Sequence, residues 1–451
     1  ILARFLDPSA FGLMALVMVV IGFSQAFLDM GISNAIIHKQ KITHGQLSTL
    51  YWVNVLAGFI LFVIIASVAP FVSEFYKEPE LTNLILIVSL TFLIQPFGQQ
   101  FMILWQKEMR FSEMAKIDII NKFISLLVSV YLAYKGYGVY ALVYGTLAGI
   151  ISQTIQFMYM GLKEHKPSFE FKLSEVKEFM SFGLYQMGEK TINYFNSQID
   201  VILIGKLLGV EALGVYTVAK QIIMRPAQII NPIITKVTFP VMAKLQDDIP
   251  RLKNIYLKTI NYLSSVNFPI YVFIFIFAHE VVLIMFGEKW LEAVYIMQIL
   301  SIWGAMRSTA SPIGSLLLAR GKAKLGFWWN LGLFFYVPVG IYAGSYWGLE
   351  GISWSLVFLS FPLGMIANWY VLVRTLCGAK FIEYHKEIFI PFFIASVSGL
   401  VVYISIYFVE IVWLRLLIGS ITGLILVAGL NYLMNKKFIN ELKGFRGRRG
   451  L

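Results

Sequence analysis

The chain has 451 residues, 58% of them hydrophobic, 16% aromatic and 14% charged, with a mean hydropathy of +0.73. These proportions exclude a soluble globular domain and a disordered chain, and they describe a polytopic membrane protein. The net charge of +12 would suit nucleic-acid binding only if the basic residues formed one soluble patch, and their distribution argues against that.

In chain order, apolar runs predict crossings at 11–35, 47–69, 82–104, 117–134, 139–160, 176–204, 213–241, 255–278, 292–319, 325–344, 352–373, 388–408 and 416–434. Most approach the ~20 residues a crossing needs. With Lys177 and Lys258, at the very ends of their spans, counted with the adjoining loops, the loops after odd-numbered crossings hold 25 of the 37 Lys and Arg residues, the opposite loops six, and the span interiors six. The basic face, with its Lys443–Arg449 tail, is therefore expected to be cytoplasmic. This bias places residue 1 outside with no signal-peptide pattern before the first span, so a preceding helix is expected to be mostly missing. Trp52, Trp105, Trp290, Trp328, Trp329, Trp347 and Trp413 lie at span ends, as aromatic-belt residues do.

Internal repetition organises the spans. Ile1–Gly12 resembles Leu203–Gly214, Gln95-Pro96-Phe97-Gly98 resembles Ser311-Pro312-Ile313-Gly314, and Tyr137-Gly138-Val139 resembles Trp347-Gly348-Leu349. The common order predicts two parallel six-helix lobes related by a pseudo-twofold axis along the membrane normal. The expected organisation is an N-lobe at 1–160, a cytoplasmic loop at 161–175, a C-lobe at 176–374, two additional helices within 375–434 and a basic tail at 435–451.

Polar residues inside the spans form stripes, and a stripe at helical spacing lines one surface. Gln186, Glu189, Asn193, Asn196 and Asp200 share a face, with Lys190 about 100° around at the 3.6-residue helical repeat. Gln221, Arg225, Gln228 and Lys236 share another. Asp118, Lys122, Ser125 and Ser129 stack, so that Asp118 and Lys122 are spaced to pair. A charge at mid-bilayer costs about 2.5–3.5 kcal/mol on insertion scales. Lys122, Lys190, Lys220, Arg225, Lys236 and Arg307 therefore point to an anion-handling transporter, with snorkelling the simpler reading for Lys236. Structural pairing with Glu189 or Asp200 is the alternative for Lys190.

No HExxH, clustered Cys/His ligand set or Walker loop accompanies the five histidines, all of which are expected in loops. The sequence thus predicts no enzyme, cofactor or metal site. Pro96, Pro226, Pro232, Pro269, Pro312, Pro338 and Pro362 fall inside spans, where they interrupt the helix hydrogen-bond ladder.

The stretches LARFLDPSAFGLMAL (Leu2–Leu16), DMGISNAII (Asp29–Ile37), TLYWVN (Thr49–Asn54) and PFGQQF (Pro96–Phe101) carry a family resemblance. So do NPIITKVTFPVMAKLQDD (Asn231–Asp248), FGEKW (Phe286–Trp290) and RSTASPIGSLLLARG (Arg307–Gly321). The chain resembles the polysaccharide-transporter branch of the MOP flippases, of the Wzx or colanic-acid-exporter type. The resemblance implies an all-α, MATE-like fold of fourteen helices, with two six-helix lobes enclosing a cationic lumen and two C-terminal helices. It also implies outward flipping of undecaprenyl-diphosphate-linked oligosaccharide repeat units across the bacterial cytoplasmic (inner) membrane by alternating access.

The candidate substrate-binding set is Lys190, Arg225, Arg307, Lys220, Lys122, Gln186, Asn193, Asn196 and Gln228. Cations would meet the diphosphate or acidic sugars, and amides the sugar hydroxyls. Asp29, Glu189 or Asp200 would carry a coupling proton or sodium ion. Membrane lipids and polysaccharide-assembly proteins are the expected partners, and nucleic acid is not one. Two readings stay open beside this one: a MATE-type multidrug exporter, which would want an acidic path, and a membrane-embedded glycan polymerase or acyltransferase, which would want a long outer catalytic loop.

Overall fold

The computed structural model describes residues 2–28, 36–37, 42–169, 191 and 193–439. Among them the chain runs through α1 (Pro8–Leu28), α2 (His44–Tyr76), α3 (Glu80–Ile94), α4 (Pro96–Lys107), α5 (Phe111–Tyr134), α6 (Tyr140–Glu164) and α7 (193–208). It continues through α8 (Val210–Lys244), α9 (Ile249–Ile276), α10 (Ala278–Met285), α11 (Glu292–Ala310), α12 (Pro312–Ala319), α13 (Ala323–Ser345), α14 (Gly348–Ser360), α15 (Phe381–Ile406) and α16 (Val412–Met434). The chain divides into two compact units, Ile1–Gly214 and Val215–Leu451. This division follows contact, whereas the boundaries expected from the sequence follow duplication.

Nine helices among the described residues are long and apolar enough to cross a membrane, or ten if the bent pair α3–α4 is one span. Thirteen crossings were expected. Most of 176–204 lies outside the described residues, while α8 and α11 have the length, at 35 and 19 residues, but not the apolarity. Both are diluted by the polar residues that make them interesting. The outward side chains elsewhere are largely apolar, among them Phe59, Ile64, Phe71, Phe358 and Leu424, as helices facing lipid require.

In the first unit, α2 starts on a capping box in which Thr43 and Gln46 satisfy each other's backbone N–H, removing two orphan donors. Its core gathers Tyr51, Phe101, Trp105, Ile117 and Phe157. The two copies of the first repeated segment meet here in reciprocal fashion. A Cβ on Gly12 would lie 1.8 Å from the carbonyl oxygen of Val210, and one on Gly214 would lie 1.8 Å from that of Pro8. Positions 8 and 12 map onto 210 and 214, so the contact is its own image under exchange of the copies. Any side chain at either glycine would strike backbone.

The second repeated motif also has a structural meaning. Gln95–Pro96 separates α3 from α4 with a 53° bend, and Ser311–Pro312 separates α11 from α12. In each case proline opens the following helix, where its missing N–H costs nothing. Pro362 acts differently. It sits in a widened π-helical stretch, Phe361–Ala367, after α14, a usual response to an interrupted ladder.

In the second unit, α15 packs on α9 and the end of α8 through Met242, Tyr256, Tyr384 and their neighbours, and α15 and α16 meet the end of α9 around Phe277, Val402 and Ile406. Two expectations from the sequence change. Trp105 and Trp290 are completely buried and are not belt residues; the Trp105 indole N–H donates to Glu164 at 3.1 Å and its ring lies under Arg110. His385 is not in a loop: it is buried within α15, its ring nitrogens bonded to the carbonyls of Phe381 and Met365. Trp347 and Trp413 are well exposed at helix ends, as belt residues are.

Candidate functional site

α8 is a long helix with one polar, exposed stripe. Gln221, Arg225, Gln228, Pro232 and Lys236 follow one another at intervals of three or four residues, and all are exposed, whereas Tyr216, Ala219, Ile223 and Asn231 are buried. The periodicity therefore sorts the helix as the sequence predicts.

What holds the stripe in place is a set of neutral hydrogen bonds. Pro226 prevents a normal ladder around its own turn. The hydroxyl of Tyr271 on α9 enters the gap, donating to the carbonyl of Ile223 at 3.1 Å. Further along, buried Asn231 donates to the carbonyl of Ser308 on α11 at 3.0 Å, and Asn267 on α9 donates to the side-chain oxygen of Asn231 at 3.0 Å. Three helices are thus tied together within two turns of Arg225. Gly304 lets α11 approach closely, since a Cβ there would lie 2.5 Å from Ile223 Cγ2.

Arg307 precedes Ser308 on α11, is exposed, and holds its guanidinium 5.2 Å from the centroid of the Trp303 ring. One turn earlier α11 passes against the Tyr271 ring, since a Cβ on Gly304 would lie 2.6 Å from Tyr271 Cε1. Tyr271 therefore packs against α11 one turn before Arg307 and bonds the turn of α8 that carries Arg225. Among the described residues Arg225, Arg307 and Lys236 form no ion pair. Tyr271, Asn231 and Asn267 were not among the sequence candidates; the signal would have been asparagines next to or near helix prolines, Asn231-Pro232 and Asn267 before Pro269.

The other candidates are dispersed. Lys220 is half-buried off the stripe, 5.8 Å from the Tyr216 ring centroid. Lys122 is exposed on α5, and Asp118 does not pair with it: Asp118 accepts from Gln153 of α6 at 3.0 Å. The neighbouring helix supplies a better-placed donor than the next turn does. On α7, Asn193 is exposed, Asn196 half-buried and Asp200 buried, with one Asp200 oxygen accepting from the N–H of Val201 at 2.9 Å. Tyr194 anchors α7 to α1 by donating to the carbonyl of Val19 at 2.9 Å. Asp29, Gln186, Glu189 and Lys190 lie outside the described residues. Among the described residues no cluster of three or more His, Cys, Asp or Glu could hold a metal ion.

Among the described residues the arrangement defines an all-helical, multi-pass membrane protein with a polar, cation-bearing face on α8 and α11. The profile of the polysaccharide biosynthesis protein family matches residues 1–295, and the chain belongs to this family. It is 34% identical over 389 residues to the teichuronic acid biosynthesis protein TuaB of Bacillus subtilis, covering 84% of this chain and 79% of that protein. It is 30% identical over 404 residues to the lipopolysaccharide biosynthesis protein WzxC of Escherichia coli, covering 89% and 82%. In structure it resembles the lipid II flippase MurJ in an inward closed conformation, with a TM-score of 0.75, 13% identity and coverage of 95% and 94%. An inward-facing multidrug resistance MATE transporter of the MOP superfamily gives a TM-score of 0.64 at 15% identity, with 82% and 92% covered. The chain shares the all-helical fold of these two structures.

Proposed function

We propose that this protein flips undecaprenyl-diphosphate-linked oligosaccharide repeat units from the inner to the outer leaflet of the bacterial cytoplasmic membrane, by alternating access, for surface polysaccharide assembly. The observation that carries the reading is the pair of exposed arginines, Arg225 and Arg307, on two helices that both pack against Tyr271, and left without carboxylate partners among the described residues. A guanidinium offers two parallel donors to a phosphate, and a diphosphate offers enough oxygens for two such forks. Gln221 and Gln228 on the same stripe, with Asn193, Asn196 and Gln186, would meet sugar hydroxyls. Lys190, Lys220 and Lys122 would add positive potential along the route. Asp29, Glu189 or Asp200 would carry the coupling proton or sodium ion. The reading agrees with the names of its relatives, which include a succinoglycan biosynthesis transport protein of Rhizobium meliloti.

A multidrug exporter would share the fold, but organic cations would be repelled by a stripe bearing Arg225 and Lys236. The test is reconstitution of the full-length protein in liposomes with a labelled lipid-diphosphate oligosaccharide. The label should cross between leaflets with its mass unchanged. Gain or loss of a sugar, or export of cationic dyes with the lipid left in place, would overturn the proposal.

A further inference from the structure

The hairpin of α13 and α14 encloses a groove of about 760 Å³, a volume typical of small-molecule sites. Its floor is made of small residues, Gly340, Ala343, Gly344 and Gly351, and its walls of aromatic ones, Tyr336, Trp347, Trp354 and Phe358. The floor is small by necessity at the turn, where a Cβ on Gly344 would lie 2.6 Å from the Gly351 carbonyl and one on Gly351 would lie 2.2 Å from that of Gly344. Trp354 and Phe358 stack at 5.7 Å along one wall.

Depth and charge identify the occupant. From Trp347 down to Tyr336 the groove follows eleven helical residues, about 16 Å at 1.5 Å each, or roughly half the 30 Å hydrocarbon core. It therefore has the depth of one leaflet. The turn end lies opposite the end carrying Lys322, Lys324 and Arg374, which places it in the outer leaflet by the positive-inside rule. Glu350 stands exposed at that lip beside Trp347, which is 74% exposed. Between Lys324 and Arg374 the sequence has no Lys or Arg, and Glu350 is its one charged residue. An anionic headgroup would meet no cation on this hairpin, whereas an ammonium would meet a carboxylate and an indole face.

We propose that this groove is a site for one outer-leaflet phospholipid with a primary-ammonium headgroup, of the phosphatidylethanolamine class. An acyl chain lies along the glycine floor, and the ammonium sits between Glu350 and Trp347. Neither Arg225 nor Arg307 lines the groove, and the site disfavours the anionic lipid diphosphate. Full-length protein is equilibrated with equal amounts of phosphatidylethanolamine and phosphatidylglycerol of identical chains, and retained lipid is read by native mass spectrometry. Wild type should retain the ethanolamine lipid about fivefold over the glycerol lipid, a ratio expected from one added charge-assisted contact. Glu350→Gln should bring the ratio to one, and Glu350→Asp should preserve it. Because a first-turn carboxylate also favours its own helix, the thermal midpoint in lipid-free detergent is measured in parallel to show that Glu350→Gln remains folded. Ala343→Phe, at an exposed floor position, should reduce retention of both lipids. Equal retention by wild type, or an unchanged ratio in Glu350→Gln, would overturn the proposal. So would a photoreactive lipid diphosphate that labels Trp354 in preference to photoreactive phosphatidylethanolamine.

Discussion

Basic residues occur in two settings in this protein. At several helix ends they are neutralised: Arg110 reaches Glu164 at 2.8 Å, Lys253 reaches Glu383 at 3.1 Å, Arg415 reaches Glu280 at 2.8 Å, and Lys437 pairs with Glu387. On the exposed face of α8 and α11, Arg225, Lys236 and Arg307 have no such partner among the described residues. The chain is not short of carboxylates, with 25 Asp and Glu, so the difference is one of placement. Positive charge that ties helices together is cancelled, and positive charge on the polar face is kept available for a ligand.

The strongest way to break this contrast is to remove the uncancelled charges. Arg225→Ala and Arg307→Ala should each lower lipid-diphosphate transport about 10- to 100-fold, the equivalent of a charge-assisted contact worth about 1.5–3 kcal/mol. Neither should change the amount of inserted protein. Lysine at either position should recover only part of the rate, because ammonium lacks the two-pronged geometry.

Removing a cancelled charge should do the opposite. Glu280 is 2% exposed at its side chain, so Arg415→Ala leaves a buried carboxylate alone and should destabilise the second unit by about 3 kcal/mol. Transport per folded molecule should stay near wild type, and thermal unfolding in detergent reads the first effect. A variant that loses transport but not stability would show that Arg415 belongs with the other class.

Tyr271→Phe sharpens the comparison, since it removes no charge yet opens the turn that carries Arg225. Leaving the Ile223 carbonyl unpaired should cost about 1–2 kcal/mol and reduce transport severalfold. Lysine at position 225 should not rescue it.

The smallest effect concerns the chain after α6. His44 bonds the Lys166 carbonyl at 3.0 Å, Trp52 donates to the Ser168 carbonyl at 3.0 Å, and the Ser168 N–H donates to Ser48 at 3.0 Å. Burial and the nearby His44 ring push the pKa of His165 down. The unfolded state therefore takes up the proton more readily than the folded one. The resulting stability is complete above about pH 6.5, the ordinary histidine value, and is lost as pH falls below it. Hydrogen-exchange protection of the Ser168 amide should decline over that range, and His165→Gln should remove the decline.

Much of this was legible in the sequence, because it depends on spacing along one helix. The α8 stripe needed only a 3.6-residue repeat, and the two proline breaks needed only proline's missing donor. The reciprocal contact of Gly12 and Gly214 follows the repeat that pairs their segments. Contacts between helices far apart in sequence were not legible. Asp118 was spaced to meet Lys122, but Gln153, 35 residues away, takes its oxygen. The Tyr271 hydroxyl enters α8 from a helix 48 residues beyond the carbonyl it bonds, and nothing local announces it. Trp105 and Trp290 sit at span ends as belt residues would, yet tertiary packing buries them.

The central claim is that Arg225 and Arg307 are left uncancelled in order to hold a diphosphate. Its most direct measurement is binding of the full-length protein to a lipid-diphosphate oligosaccharide and to the matching monophosphate, for wild type and for the Arg225→Gln/Arg307→Gln pair. Wild type should bind the diphosphate at least about tenfold more tightly, a difference of about 1.4 kcal/mol, and the paired variant should bind both alike while unfolding at the wild-type temperature. Equal affinity of wild type for the two lipids, or a preference that survives the double substitution, would contradict the account.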